Sequence, residues 1–150
     1  MAEHSLGKEL YTYHLDVTSV TEYGVDFAKL TAGEVTPPPA GARFDVWVKG
    51  TVQGDLSGSI EGCDYLYVRA DGRMELNVRA TIATADGAVI SLAATGVGWP
   101  EAGTPVVRLR ENATLFTNDE RYTWVNGLQI WAPGEVNLAE GTVDVTGFGH

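Results

Sequence analysis

A chain of 150 residues, 44% of them hydrophobic, is long enough to bury one sizeable core and suits a single domain spanning residues 1–150. Asp and Glu number 20 against 10 Lys and Arg, a formal charge of −10 that repels phosphate backbones and anionic lipid, so nucleic-acid and membrane partners are not expected. No apolar run approaches the roughly 20 residues that cross a bilayer, and a lone Cys63 leaves no internal disulfide and suits a cytoplasmic location.

The opening "MAEHSLGKELYTYHLDV" has no basic segment followed by an apolar block, so no secretory signal is expected. Within it, Tyr11, Tyr13, Leu15 and Val17 alternate with Thr12, His14 and Asp16, the period of a strand with one buried face. "SVTEYGVDFAKL" could form a short helix, although Gly24 and its β-branched residues weaken it. "EVTPPPAGA" removes three backbone donors in a row and reads as a stiff connection over one end of the molecule. "ARFDVWVKGTV" alternates again, with Phe44, Val46 and Val48 against Arg43, Asp45 and Trp47.

The stretch "GCDYLYVRADGRMELNVRA" reads as two strands about an Asp71-Gly72 turn, and Asp86-Gly87 marks a second hairpin. Two-residue turns would pair Val68 with Glu75, Leu66 with Asn77 and Asp64 with Arg79. The second turn would pair Thr81 with Leu92. Asp64, Leu66, Val68, Asn77, Arg79, Thr81, Ile90 and Leu92 then share one face, taken as the interior. Tyr65, Tyr67, Met74, Leu76 and Val78 fall on the other. That second apolar face predicts a homo-oligomer. "GVGWPEAGTPV" reads as a long loop carrying Trp99, and "RLRE" and "NDER" as solvated charges. In "FTNDERYTWVNG", strand alternation would put Tyr122, Trp124 and Asn126 on one face. "TVDVTGF" closes the chain as a strand. Many short strands between regular turns predict an all-β fold with little helix: a single antiparallel barrel of about eight strands, closed or nearly so.

Several of these motifs, in order, carry a resemblance. Gly41-Ala42-Arg43, the glycines from Gly50 to Gly58, and Gly62-Cys63-Asp64-Tyr65 come first. Arg69-Ala70-Asp71-Gly72, Arg79, Thr84-Ala85-Asp86-Gly87-Ala88 and the Phe116, Tyr122, Trp124, Asn126 set follow. Across roughly residues 41 to 131 the chain resembles the bacterial domain-of-unknown-function 3237 family. The segment from Gly24 to Pro39 looks like an addition to that pattern. The resemblance implies an allene oxide cyclase-like, lipocalin-like barrel, among whose relatives are cofactor-free cyclases and isomerases as well as proteins that only bind ligands.

Such a barrel offers positioning, polarisation and proton transfer in an apolar cavity. The candidate catalytic residues are Asp64 as acid–base group, Arg79 as anion binder and Tyr122. Arg43, Leu66, Asn77, Thr81, Leu92, Trp124 and Asn126 are candidate substrate contacts. His4, His14 and His150 are too scattered for a metal site, and no cofactor is expected. Two readings stand. One is a cofactor-independent isomerase, cyclase or lyase acting on a small apolar carbonyl or phenol compound. The other is a non-catalytic small-molecule-binding barrel of lipocalin type, in which Arg79 holds an acidic ligand. A structural Asp64–Arg79 ion pair at a strand end is the alternative to a site role for that pair.

Overall fold

The computed structural model describes residues 6–150, so His4 lies outside the described residues. Eight antiparallel strands close into one barrel in sequence order, β1-β2-β3-β4-β5-β6-β7-β8, with β8 hydrogen-bonded back to β1. They are β1 (Lys8–Glu22), β2 (Ala42–Gly54), β3 (Gly58–Val68), β4 (Met74–Thr84), β5 (Val89–Pro100), β6 (Val106–Phe116), β7 (Ile130–Asn137) and β8 (Thr142–Gly149). The alternation read from β1 and β2 holds: Tyr11, Tyr13 and Leu15 face inward beside Phe44, Val46 and Val48. β1 carries two bulges, near Glu9–Tyr11 and Val17–Ser19, which let so long a strand bend around the wall. Among the described residues no helix is long and apolar enough to cross a membrane.

Both hairpins are longer than Asp-Gly alone suggests. Arg69 pairs with Arg73 across a three-residue loop: the Arg69 N–H donates to the Arg73 carbonyl at 2.9 Å, and the Gly72 N–H donates to the Arg69 carbonyl at 2.8 Å. Thr84 and Ala88 close the second loop in the same way, at 2.9 Å, around Ala85-Asp86-Gly87. Gly72 and Gly87 have φ of 92° and 95°, the left-handed position that ends a three-residue hairpin loop built on a type I turn. The register therefore moves by one residue. Asp64 faces Val78, Cys63 faces Arg79, Tyr67 faces Glu75 and Ala80 faces Leu92. In a sheet of period two, that single step exchanges the faces of β4 relative to β3. Met74, Leu76 and Val78 point into the barrel and are buried, whereas Asn77, Arg79 and Thr81 point out and are exposed. The apolar outer face invoked for self-association thus loses Met74 and Leu76.

Two further expectations change. "GVGWP" is the end of β5 rather than a loop, leaving only residues 101–105 to connect it to β6. Tyr122, Trp124 and Asn126 do not lie on a strand, because Thr123–Gly127 is a 3-10 helix. The short helix expected in "SVTEYGVDFAKL" is present, confined to the end of that window. Ser19–Glu22 belongs to β1, and α1 spans Phe27–Thr31, with Asp26 accepting the Lys29 N–H at 2.9 Å as its N-cap.

The barrel interior is unevenly filled. At the end where β2 meets β3, Tyr11, Ile60, Ile82, Ile90, Leu92, Leu115, Val125 and Ile130 pack into a solid plug. At the opposite end the connection between β1 and β2 folds over the mouth. Leu30 of α1 is buried there, and the Phe27 ring meets Phe44 edge-on at 5.0 Å. The proline run leads back into β2, where the Tyr67 hydroxyl donates to the Ala40 carbonyl at 2.9 Å. The expected cover over one barrel end is present, and it includes a helical turn.

Candidate active site

Between the plug and this cap lies a cavity of about 130 Å³. Its wall is aliphatic: Leu15, Val46, Val48, Leu66, Leu76, Val78, Leu109 and Val143 surround it, and Phe27 and Thr31 of α1 reach it from the cap. Besides Thr31 of the cap, three polar side chains enter from the strands among the described residues, Asp64 from β3, Glu111 from β6 and Tyr13 from β1. Among the described residues, no Lys, Arg or His lines the cavity.

Each polar group occupies an inward position that alternation dictates. On β6 the inward set is Val107, Leu109, Glu111, Ala113 and Leu115, so Glu111 sits in the middle of an apolar series and is 3% exposed. The Tyr13 hydroxyl donates to Glu111, at 3.1 Å to Oε1 and 3.4 Å to Oε2. Asp64 Oδ1 accepts the backbone N–H of Asn77 at 2.9 Å. Asp64 is half-buried, since part of its surface faces the cavity.

Burial dominates the electrostatics. Loss of solvent pushes Asp64 up from 3.8 to about 6, and the Asn77 N–H only partly opposes it. Burial pushes Glu111 further, from 4.5 to about 7, with the Tyr13 hydrogen bond opposing the rise and the nearby Asp64 charge adding to it. The Tyr13 phenol is raised well above its usual range by burial and then by the Glu111 charge. Two carboxyls of unequal acidity in one apolar cavity can serve as base and acid near neutral pH. Beside them, Tyr11 stacks on Tyr13 with ring centres 6.1 Å apart, and its buried hydroxyl has no hydrogen-bond partner among the described residues.

The structure brings only two of the expected site residues to this cavity, Asp64 and Leu66. Asn77 contributes its backbone N–H, while its side chain points outward. The register shift puts Arg79 and Thr81 on the exposed outer surface, so there is no Asp64–Arg79 pair. Leu92 is buried in the plug rather than along the cavity. Arg43 also points out, ion-paired with Asp45 at 2.9 Å and lying over the Tyr23 ring at 5.7 Å. Tyr122 donates its hydroxyl to Asp86 Oδ2 at 2.8 Å and ties the 3-10 helix to a hairpin loop. Trp124 is 45% exposed. Asn126 holds the Thr117 backbone on both sides, accepting its N–H and donating to its carbonyl, each at 2.9 Å. These last residues secure the plugged end of the barrel, away from the cavity.

Sequence reasoning missed Glu111 and gave Tyr13 no role. "RLRE" was read as solvated charge, yet Glu111 stands in phase with Val107 and Leu109 while Arg108 and Arg110 do not. That phase was the available signal. Among the described residues no cluster of His, Cys, Asp and Glu is arranged to hold a metal.

Similar structures share the barrel. A beta-barrel like protein from Acinetobacter baumannii is 23% identical with a TM-score of 0.74, covering 95% of this chain and 93% of its own. A protein with unknown function from Clostridium acetobutylicum is 21% identical with a TM-score of 0.78, covering 95% and 94%. An enzyme from Penicillium herquei is 20% identical with a TM-score of 0.60, covering 98% of both chains. At these identities the likeness establishes the fold. No curated protein matches the sequence. A family model described as "Protein of unknown function (DUF3237)" matches residues 20–146, a span that includes the cap.

Proposed function

For this chain, which belongs to the DUF3237 family, we propose a cofactor-independent enzyme of isomerase, cyclase or lyase type that moves protons on a small, largely apolar carbonyl or phenol compound. One observation carries the reading: Asp64 and Glu111 enter the same aliphatic cavity with no cation among its described lining residues. Burying two carboxyls in this way costs stability, and a container for apolar ligands has no need of either. Their presence is accounted for if both are used.

Near neutral pH Asp64, the more acidic of the two, is the ionised base, and Glu111 retains a proton for a substantial fraction of the time. With a ketone in the cavity, Asp64 removes a proton from the carbon next to the carbonyl. Glu111 donates its proton to the carbonyl oxygen as the C–H electrons move into the new C=C bond. The product of this half-reaction is an enol, an ionised Glu111 and a protonated Asp64. Where the ketone carries a C=C bond conjugated with this enol, return of the Asp64 proton to the far end of the diene, and of the enol proton to Glu111, completes an isomerisation. With a simple ketone, return to the same carbon leaves only an exchanged α-hydrogen, and both groups are restored in either case. Tyr13 steadies Glu111 through its hydroxyl, favouring the ionised form produced midway. The aliphatic wall excludes water and strengthens each of these interactions.

The test is exchange of the α-hydrogens of cyclohexanone in D2O, followed by NMR. Wild-type protein is expected to accelerate exchange, and Asp64→Asn to remove most of the acceleration. Binding of the ketone without any exchange would replace this reading with the non-catalytic barrel.

A further inference from the structure

The same cavity limits what can enter it. Its volume of about 130 Å³ is slightly below the roughly 150 Å³ of an apolar cavity that accepts one benzene. Growth toward the solid end is blocked by Ile60, Ile82 and Ile90, all buried at 2% exposure or less. Toward the mouth the cavity reaches the rim at Leu138 and Gly141, and Phe27, packed edge-on against Phe44, narrows it there. Phe27 is also held at its backbone, where its N–H donates to Glu22 Oε2 at 2.5 Å.

Charge limits the ligand as well. An anion entering the cavity leaves its water, meets Asp64 and Glu111, and finds no Lys, Arg or His among the described lining residues. Among the described lining residues the neutral side-chain donors are already engaged: the Tyr13 hydroxyl is directed at Glu111, and the Thr31 hydroxyl donates to the Phe27 carbonyl at 2.9 Å. An ammonium group would hold both carboxyls ionised and deprive the site of its acid. A carbonyl or hydroxyl needs only one hydrogen bond from a protonated carboxyl, and the rest of its surface meets the aliphatic wall.

We infer that the substrate is an uncharged ketone or phenol about one ring in size, and that the cavity rejects carboxylates of the same shape. This rests on the reading of Asp64 and Glu111 as working acid and base, because their shared place in the cavity sets the charge rule. It replaces the anion-binding role that Arg79 was expected to supply.

The experiment measures binding of three probes at pH 6.5, where Glu111 still holds a proton and a carboxylate probe is ionised, by saturation-transfer NMR: cyclohexanone, cyclohexanecarboxylate and the two-ring ketone 2-decalone. Cyclohexanone is expected to bind, and the carboxylate and the decalone each to bind at least about tenfold more weakly. Asp64→Asn combined with Glu111→Gln, close in shape to the originals, should improve carboxylate binding at least about fivefold. Carboxylate binding as tight as ketone binding in the wild type would overturn the charge rule. Equal binding of decalone would overturn the size rule. α-Hydrogen exchange separates the two readings. Loss of exchange with the probe order intact sinks the catalytic reading alone, and exchange with the probe order lost sinks this inference alone.

Discussion

Replacing Glu111 by Gln should make the protein more stable at high pH and leave it almost unchanged at low pH. Glu111 is 3% exposed, and its carboxyl lies at about 7 in the folded chain against 4.5 when exposed. A folded-state value above the unfolded one means that the folded chain binds this proton more tightly. Stability is therefore fullest below about pH 4.5 and declines as pH rises toward 7. Moving a carboxyl from 4.5 to about 7 corresponds to about 3 kcal/mol of stability missing above pH 7. Gln keeps the shape and can accept the Tyr13 hydroxyl but has no charge to desolvate. Urea unfolding of Glu111→Gln and wild type at half-unit steps from pH 4 to pH 8 should show a difference growing from near zero to about 3 kcal/mol. A difference independent of pH, or a variant less stable at pH 8, would refute the claim that burial of the charge sets the properties of this site. The same variant should lose proton-transfer activity, since it removes the proposed acid.

Other variants probe the remaining geometry. Tyr11→Phe removes a buried hydroxyl with no partner among the described residues and should leave stability unchanged or raise it by about 1 kcal/mol. A loss of more than that would mean the hydroxyl is bonded in solution. Gly72→Ala has open space around it but a φ of 92°. It should therefore cost about 1 kcal/mol in chemical denaturation through backbone strain alone. Arg79→Ala, on the exposed outer wall, should leave cyclohexanone exchange within about twofold of wild type. A large loss would return this arginine to the site.

The barrel was legible because turns and strand periods are local properties. The working interior was less so, because it depends on register. Ala70-Asp71-Gly72 and Ala85-Asp86-Gly87 each form a three-residue loop, although their Asp-Gly pairs read as two-residue turns. The difference is one residue per hairpin, enough to turn Arg79, Thr81 and Asn77 outward and Leu76 and Val78 inward. Asp64 survived the error because its own strand, carrying Leu66 and Val68, was assigned to the correct face. Glu111 was obscured for another reason: its charged neighbours Arg108 and Arg110 point the other way, and a run of charges conceals a buried member unless its phase is followed. Tyr122 and Asn126 were misplaced because a 3-10 helix of five residues leaves little periodic signal.

The uneven filling of the barrel separates two structural duties along the same strands. On β4, Ile82 anchors the packed end while Met74 and Leu76, only a few positions away, shape the hollow one. Substitutions around the mouth can alter which molecule fits while the plug continues to hold the barrel closed. One architecture could in this way acquire new ligands through changes to a handful of aliphatic side chains and one short cap, without passing through an unfolded ancestor.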